Sequence, residues 1–414
     1  MITVVERGIG LSDQAEDRYP RIPFDVPEGA ESFEVRLEVD GEAVVDLGCE
    51  DPSGWRGWSG GARDSFVITR DDATPGYLPG NLLPGRWHVV VGLHSLPAGD
   101  AGLRVTVETP SPRPPDHGPV EEPARRETRG SDRELPAPAG LRWYAGDTHA
   151  HSLHSDGALS LWELANEGVR SGLDFLCVTD HNTTSHHAHL PRVGLRQGIT
   201  LVPGQEVTTH RGHANAFGEI GFVDFRRPAT EWVTAVADRG GLLSINHPVS
   251  GDCSWLHPLG EAPWGVELYH SDWYREPAST SALAWYVGRD TAVIGGGDFH
   301  NRTTLLRPGL PTTWLLAEEN SPGALLEAMA AGRTTITADA ELVDGVARPR
   351  LLDAPILVRD GERLRALSAV GLVLVGGDGR RLVIGAPGQA IAAPRDAGPY
   401  RLEDARRRVL ALSR

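Results

Sequence analysis

From Trp143 to Ala331 the chain alternates short apolar runs with stretches of helical periodicity, and nearly every run ends in a histidine or an acidic residue. Strand candidates are 143–148, 175–179, 200–203, 242–246, 266–269 and 292–295. Helix candidates are 160–171, 185–195, 229–239, 279–287 and 321–331. Such alternation implies parallel strands joined by helical crossovers. A stretch of roughly 190 residues suffices for a compact α/β barrel, near the lower end of the usual size. Barrel enzymes keep their chemistry in the loops that follow the strands.

The chemistry-bearing residues fall in those loops. Asp147-Thr-His149-Ala-His151 ends the first strand candidate, and His154, Ser155 and Asp156 follow. Residues two apart on an extended segment point to one side, so His149 and His151 can grip one ion. Asp180-His181-Asn182 ends the second candidate, Gly204-Gln205-Glu206 the third, and Gly212-His213 comes soon after. Asn246-His247-Pro248 ends another, and Gly297-Asp298-Phe299-His300 repeats the two-apart spacing. Each motif is weak alone, since His-x-His occurs on many strands without metal. Together they bring six histidines and three carboxylates, His149, His151, Asp156, His181, Glu206, His213, His247, Asp298 and His300, to one end of a barrel. Without metal such a pocket is costly, because buried polar and charged groups need partners. Imidazole and carboxylate without thiolate suit Zn, Mn or Fe. Thirteen of the sixteen histidines lie between His149 and His300, which marks the same stretch.

The rest of the chain reads as β structure. In 33–39 apolar residues alternate with Glu34, Arg36 and Glu38, the period of a half-buried strand. Further strand candidates at 65–69, 87–93 and 103–108, punctuated by Pro-Gly pairs, suggest a small β-sandwich over 1–108. Trp55, Trp58 and Trp87 suit its core better than a ligand platform. Residues 109–139 are rich in proline and mixed charge and read as a linker or a strap across the surface. The barrel then spans 140–339, and 340–414 returns to short β-like runs at 356–358, 371–375 and 381–384, a C-terminal β-rich extension.

Composition excludes several classes. The net charge of −16 speaks against a binder of long nucleic acid. All forty basic residues are arginine, so no lysine can act as Schiff base or phosphate clamp. Three scattered cysteines make neither a disulfide framework nor a thiolate zinc site. No apolar run is long enough for a membrane helix, and the acidic first residues lack a secretion signal, so a cytoplasmic location is expected.

The ordered motifs Asp-x-His-x-His-x4-Asp-Gly, Thr-Asp-His, Gly-x-Glu, Gly-His, Asn-His-Pro and Asp-x-His resemble those of the PHP (polymerase and histidinol phosphatase) superfamily over about 142–338. With the N-terminal β domain and Gly-Leu-Pro-Thr-Thr-Trp at 309–314, the whole chain looks like the carbaryl-hydrolase-like (CehA/McbA) branch. The resemblance implies a multi-domain α/β plus β protein: a distorted (β/α)7 barrel with an N-terminal β-sandwich and a small C-terminal β unit. It implies two to three divalent ions. His149, His151, Glu206 and Asp298 would hold the first. Glu206, as a bridge, would share the second with His213 and His247. Asp156, His181 and His300 would hold the third.

Hydroxide generated between two ions would attack phosphorus or a carbonyl. Asp298 could take its proton, and His270, His210, His154, His186 or His187 could protonate a leaving group. Arg302 and Arg307 could grip a small anionic substrate, or form ion pairs with acids such as Glu318 or Glu319. The expected activity is hydrolysis of small phosphate esters such as nucleotides. The alternatives are carbamate, ester or amide hydrolysis, with Trp255, Trp264, Trp273 and Trp285 shaping an aromatic pocket, and a non-catalytic metal-bearing scaffold with a β-domain binding module.

Overall fold

A computed structural model describes residues 1–414 apart from 126–127, 259–261, 277–280 and 287–290 and the side chain of Asp252. The chain divides into two compact units. The first comprises Met1–Pro119, His151–Ser160 and Asp180–Ala188; the second comprises Val120–Ala150, Leu161–Thr179 and His189–Arg414.

The first unit holds two four-stranded antiparallel sheets. One runs Ile2–Ile9, Ala101–Glu108, Ser32–Val39, Ser65–Thr69; the other runs Arg21–Val26, Gly85–Ser95, Val44–Asp51, Gly54–Gly60. Alternation decides what each strand buries: Ala101, Leu103, Val105 and Val107 point inward and the residues between them do not. Both sheets feed one core, in which Phe33 and Phe66 of the first meet Phe24 and Trp87 of the second. Their rings pack edge to face, Phe33 to Trp87 at 5.1 Å and Phe24 to Phe33 at 5.3 Å. Trp58 is buried too but stacks on Trp55 at 5.9 Å, and the Trp55 indole donates to the Asn182 carbonyl at 3.2 Å.

In the second unit one ladder joins thirteen strands. Arg142–Asp147, Phe175–Val178 and Thr200–Thr209 are parallel neighbours, as the alternation predicts. Thr200–Thr209 is longer than expected and turns straight back into Gly212–Phe217, an antiparallel hairpin that needs no crossover. Gly212–Phe217 pairs antiparallel with Leu242–Ile245; Gly265–His270 and Ala292–Gly296 then continue in parallel. On its other side Arg142–Asp147 pairs antiparallel with Thr312–Ala317, which pairs with Thr334–Thr337. The C-terminal strands Val409–Ser413, Tyr400–Glu403, Val373–Val375 and Arg381–Val383 extend the same ladder. Among the described residues no strand pairing joins its two ends, so the large sheet is mixed and not closed; of the ring that the expected distorted (β/α)7 barrel would form, an isolated parallel bridge between Ala150 and Phe299 is present.

Helices Leu161–Arg170, Ala229–Asp238 and Pro322–Ala330 lie where the periodicity places them. The expected 185–195 helix instead forms at Leu190–Gln197. Proline is tolerated in the first helical turn and not in the interior, so Pro191 moves the start, and Gly198 at φ 72° ends the helix. The candidate at 279–287 has both ends outside the described residues, and Ser281–Tyr286 is helical. No helix among the described residues is long and apolar enough to cross a membrane. The linker is tied down at Ser131, whose N–H and hydroxyl both donate to the buried carboxylate of Asp174, at 2.8 and 2.5 Å.

Phe33→Ala removes the ring on which the aromatic core of the first unit closes. It should cost about 3–5 kcal/mol in urea unfolding followed by tryptophan fluorescence.

Candidate metal centre

The strands of the second unit and the loops that follow them deliver His149, Glu206, His213, His247, Asp298 and His300, with Glu206 and His213 inside the hairpin of Thr200–Thr209 and Gly212–Phe217. Glu206 is the fixed point. Its side chain is fully buried, and one oxygen lies 3.3 Å from His149 Nε2, 3.3 Å from His213 Nδ1 and 3.4 Å from His247 Nε2. Asn246, beside His247, donates to that oxygen at 2.6 Å. Asp298 brings one oxygen to 3.3 Å from His149 Nε2, and its other oxygen lies 3.4 Å from His270 Nε2. His300 turns its Nδ1 to the Asp298 carbonyl at 2.9 Å.

These separations are long for hydrogen bonds, which centre near 2.9–3.0 Å. They match two ligands that share an ion, since atoms about 2.1 Å from one metal stand roughly 3.0–3.4 Å apart. His247 Nδ1 is buried and has no hydrogen-bond partner among the described residues. His149, Glu267 and His270 each offer a ligand atom within 4.8 Å of the others. The donors are nitrogen and oxygen only, which fits a divalent ion of the Zn, Mn or Fe kind.

Electrostatics demand the same positive charge. Burial disfavours the His149 cation, but Asp298, Glu206 and Glu267 hold its pKa well above the usual imidazole range. Burial opposes ionisation of Glu267, but His149 and its neighbours hold it below the usual carboxylate range. Burial also pulls His270 down, and hydrogen bonding to Asp272 and Asp298 with the charge of Glu267 pushes it up to about 10. Cations held by these residues would compensate the same carboxylates and would take the place of those protons.

Three supporting residues have no role of their own in the sequence reading: Glu267 lies in none of the motifs, and Asp147 and Asp180 stand in them only beside the ligands. Glu267 accepts from the His247 N–H at 3.0 Å, and its other oxygen is 3.1 Å from His149 Nδ1, so one carboxylate orients two imidazole-bearing segments. A glutamate inside the short, otherwise apolar 266–269 run was the available signal. Asp147 accepts the N–H groups of His149, Gly297 and Gly309 at 3.1, 2.8 and 2.7 Å, tying distant loops together. Burial, opposed by those three bonds, pushes its pKa up to about 6. Gly296 and Gly297 leave no room for a Cβ against Glu267 and Asp147. Asp180 does in the first unit what Asp147 does in the second, accepting from Ser152 N–H, Ser152 Oγ and Ser155 Oγ at 2.7–2.8 Å.

The backbone is strained at the same places. His247 and Asp298 have positive φ, 25° and 52°, as does Asn182 after His181, at 53°. Non-glycine residues hold such angles only when their surroundings impose them.

The other three predicted ligands, His151, Asp156 and His181, belong to the first unit. His181 Nε2 lies 3.4 Å from Asp156 Oδ1, and the His151 and His181 rings stack at 4.3 Å. His154 Nδ1 meets Ser185 Oγ at 2.7 Å, and His186 Nδ1 is 3.4 Å from Asp180. Arg302 pairs with Glu121, Glu163 and Glu167 at 3.0–3.3 Å rather than with Glu318 or Glu319. Arg307 donates to the carbonyls of Arg302, Thr304 and Leu306. The two arginines thus brace the loop after His300. Trp273 is buried in the second unit's core, against which Trp255 and Trp285 pack, and Trp264 packs on another core cluster.

No family model matches the chain, and no curated protein matches it. Among solved structures it is similar to a two-domain protein from Bacteroides vulgatus described as containing a predicted PHP-like metal-dependent phosphoesterase. That likeness has 17% identity, covers 70% of this chain and 99% of the other, and has a TM-score of 0.42. It is also similar to a protein from Bifidobacterium adolescentis described as a candidate metal-dependent phosphoesterase, at 17% identity, 38% and 88% coverage and a TM-score of 0.30. A third is an amidohydrolase from Chromobacterium violaceum with bound sulfate, at 16% identity, 37% and 87% coverage and a TM-score of 0.26.

Glu267→Gln keeps the shape but loses the charge that orients His149. It should weaken Zn or Mn binding about 10–100-fold in chelator competition, with unchanged far-UV circular dichroism. Unaltered affinity would remove Glu267 from the site. Arg302→Ala should lower stability by roughly 1–3 kcal/mol in urea unfolding, because the buried Glu167 loses a charged partner.

Proposed function

We propose that this chain is a metal-dependent hydrolase of small phosphate esters, of the PHP type that its motif order resembles. The observation that carries the reading is Glu206, a fully buried carboxylate with three imidazole nitrogens at 3.3–3.4 Å from one oxygen. Two or three divalent ions, Zn, Mn or Fe, would supply Lewis acidity towards a phosphoryl oxygen and lower the pKa of a water. His149, Glu206, His213, His247 and Asp298 are the ligands assigned in the second unit. His151, Asp156 and His181 stay as ligand candidates of the first, and His300 as one of the second.

Burial separates the roles of the two carboxylates. Glu206 has no exposed side-chain surface and three imidazoles around it, so it would serve as a ligand shared between ions rather than as a group that meets water. The Asp298 side chain keeps 23% of its surface, so it can meet an attacking water and accept its proton. His270, 3.4 Å from the second Asp298 oxygen, orients that carboxylate and balances its charge. Arg302 spends its N–H groups on three glutamates, so it is not the group that would meet a substrate's charge.

The test joins metal content to catalysis. Elemental analysis of the purified chain should give two to three divalent ions, and p-nitrophenyl phosphate should be hydrolysed. His149→Ala and Glu206→Gln should each lose metal, and activity should fall about a thousand-fold or more. Metal without phosphatase activity, but with cleavage of carbamate or carboxyl esters, would replace the substrate class. No metal after growth with Zn and Mn would overturn the proposal.

A further inference from the structure

The first unit contains an open cavity of about 970 Å³ that is no part of the metal centre described above. Its place follows from the sandwich. Ser65–Thr69 is the last strand of one sheet and Gly54–Gly60 the last of the other, and along that side the sheets part. Leu37, Val39 and Phe66 line the cavity from one sheet, and Val44 and Val45 from the other. The linker crosses it at Arg113 and Pro114, held by an Arg113 bond to Ser65 Oγ at 3.0 Å. Leu153, two residues after His151, completes the wall.

Two cations face this space, and they differ. Arg113 is neutralised by the buried Glu34. Arg63, on the turn between the two edge strands, is half-buried, and burial lowers its pKa. Its hydrogen bond is a long one, 3.5 Å to the Ser155 carbonyl. Asp116 and Asp180 act on it from beyond ion-pair range, and among the described residues no carboxylate pairs with it. The acids on the rim have other partners: Glu38 faces Arg104 at 3.6 Å, Asp64 accepts from Ser65 Oγ at 3.1 Å, and Asp116 accepts from the Gly118 N–H at 2.9 Å. A partly desolvated guanidinium with no counter-ion among the described residues, beside an aliphatic wall, is complementary to an anion with an apolar body.

We infer that this cavity binds a small organic anion, its carboxylate or phosphate held by Arg63 and its aliphatic body laid on Leu37, Val39 and Val45. The inference is independent of the metal reading, since none of these residues is a proposed ligand.

Isothermal titration of the full chain with octanoate, octyl phosphate, inorganic phosphate and octanol tests it. Octanoate or octyl phosphate should bind with a Kd below about 1 mM, and the tighter of the two identifies the head group. Inorganic phosphate lacks the body and octanol the charge, so each should bind at least about tenfold weaker. Arg63→Gln should weaken the amphiphilic anion at least about tenfold. Val39→Trp, at the partly exposed mouth, should block it while leaving Arg63 in place. No binding of either amphiphile to the wild type overturns the inference. So does binding that survives both substitutions, because it then belongs to another site such as the metal centre. If Arg63→Gln does not fold, Val39→Trp decides alone.

Discussion

Glu206 has been taken wholly out of water, and the three imidazole nitrogens set round one of its oxygens are drawn from three separate places in the chain. A buried carboxylate must be paired, and each imidazole that pairs with it must itself be oriented. That requirement spreads outward. His149 and His247 are both held by Glu267, which sits mid-strand in Gly265–His270. Asn246 has to present its amide to Glu206 while the next residue adopts a positive φ. The strained angles at His247 and Asp298 are sustained by this surrounding order.

A second device recurs: buried aspartates serve as backbone acceptors that join segments far apart in sequence. Asp147 gathers the N–H groups of His149, Gly297 and Gly309. Asp174 gathers Ser131 and Ala145, fixing the end of the linker against a strand. Asp180 takes the Ser152 N–H together with the Ser155 hydroxyl in the first unit. An aspartate can do this because each oxygen accepts more than one bond, so one side chain satisfies loop amides that no strand pairs. A Cβ on Gly296 or Gly297 would collide with these carboxylates, which accounts for the Gly-Gly pair before Asp298.

Much of the second unit was legible because parallel buried strands and amphipathic helices leave strong periodic signals. Arg142–Asp147, Phe175–Val178 and Ala292–Gly296 lie within a residue or two of where the pattern puts them. The antiparallel turn at His210-Arg211 was missed because the strand signal stops at Pro203, while the hairpin beyond carries the mixed sequence Thr208-Thr209-His210. The distorted barrel was implied by the motif resemblance and allowed by the alternation, and alternation specifies which elements occur but not whether the last strand pairs with the first. In the first unit, Val44–Asp51 and Gly54–Gly60 were missed because Asp51, Gly54, Gly57 and Gly60 break the expected pattern with turn-forming residues.

The order and spacing of His149, His151, Asp156, His181, Glu206, His213, His247, Asp298 and His300 by themselves marked a metal-type donor set, because side-chain chemistry and strand-end position are written residue by residue. Only the tertiary structure decided which atoms meet. It made Glu206 the shared acceptor, set Glu267 and Asp147 behind the imidazoles, turned Arg302 to three glutamates and, among the described residues, left Arg63 without an ion pair. Each of those outcomes depends on distances of a few ångströms between segments separated by tens to hundreds of residues, and a local sequence pattern does not encode such distances.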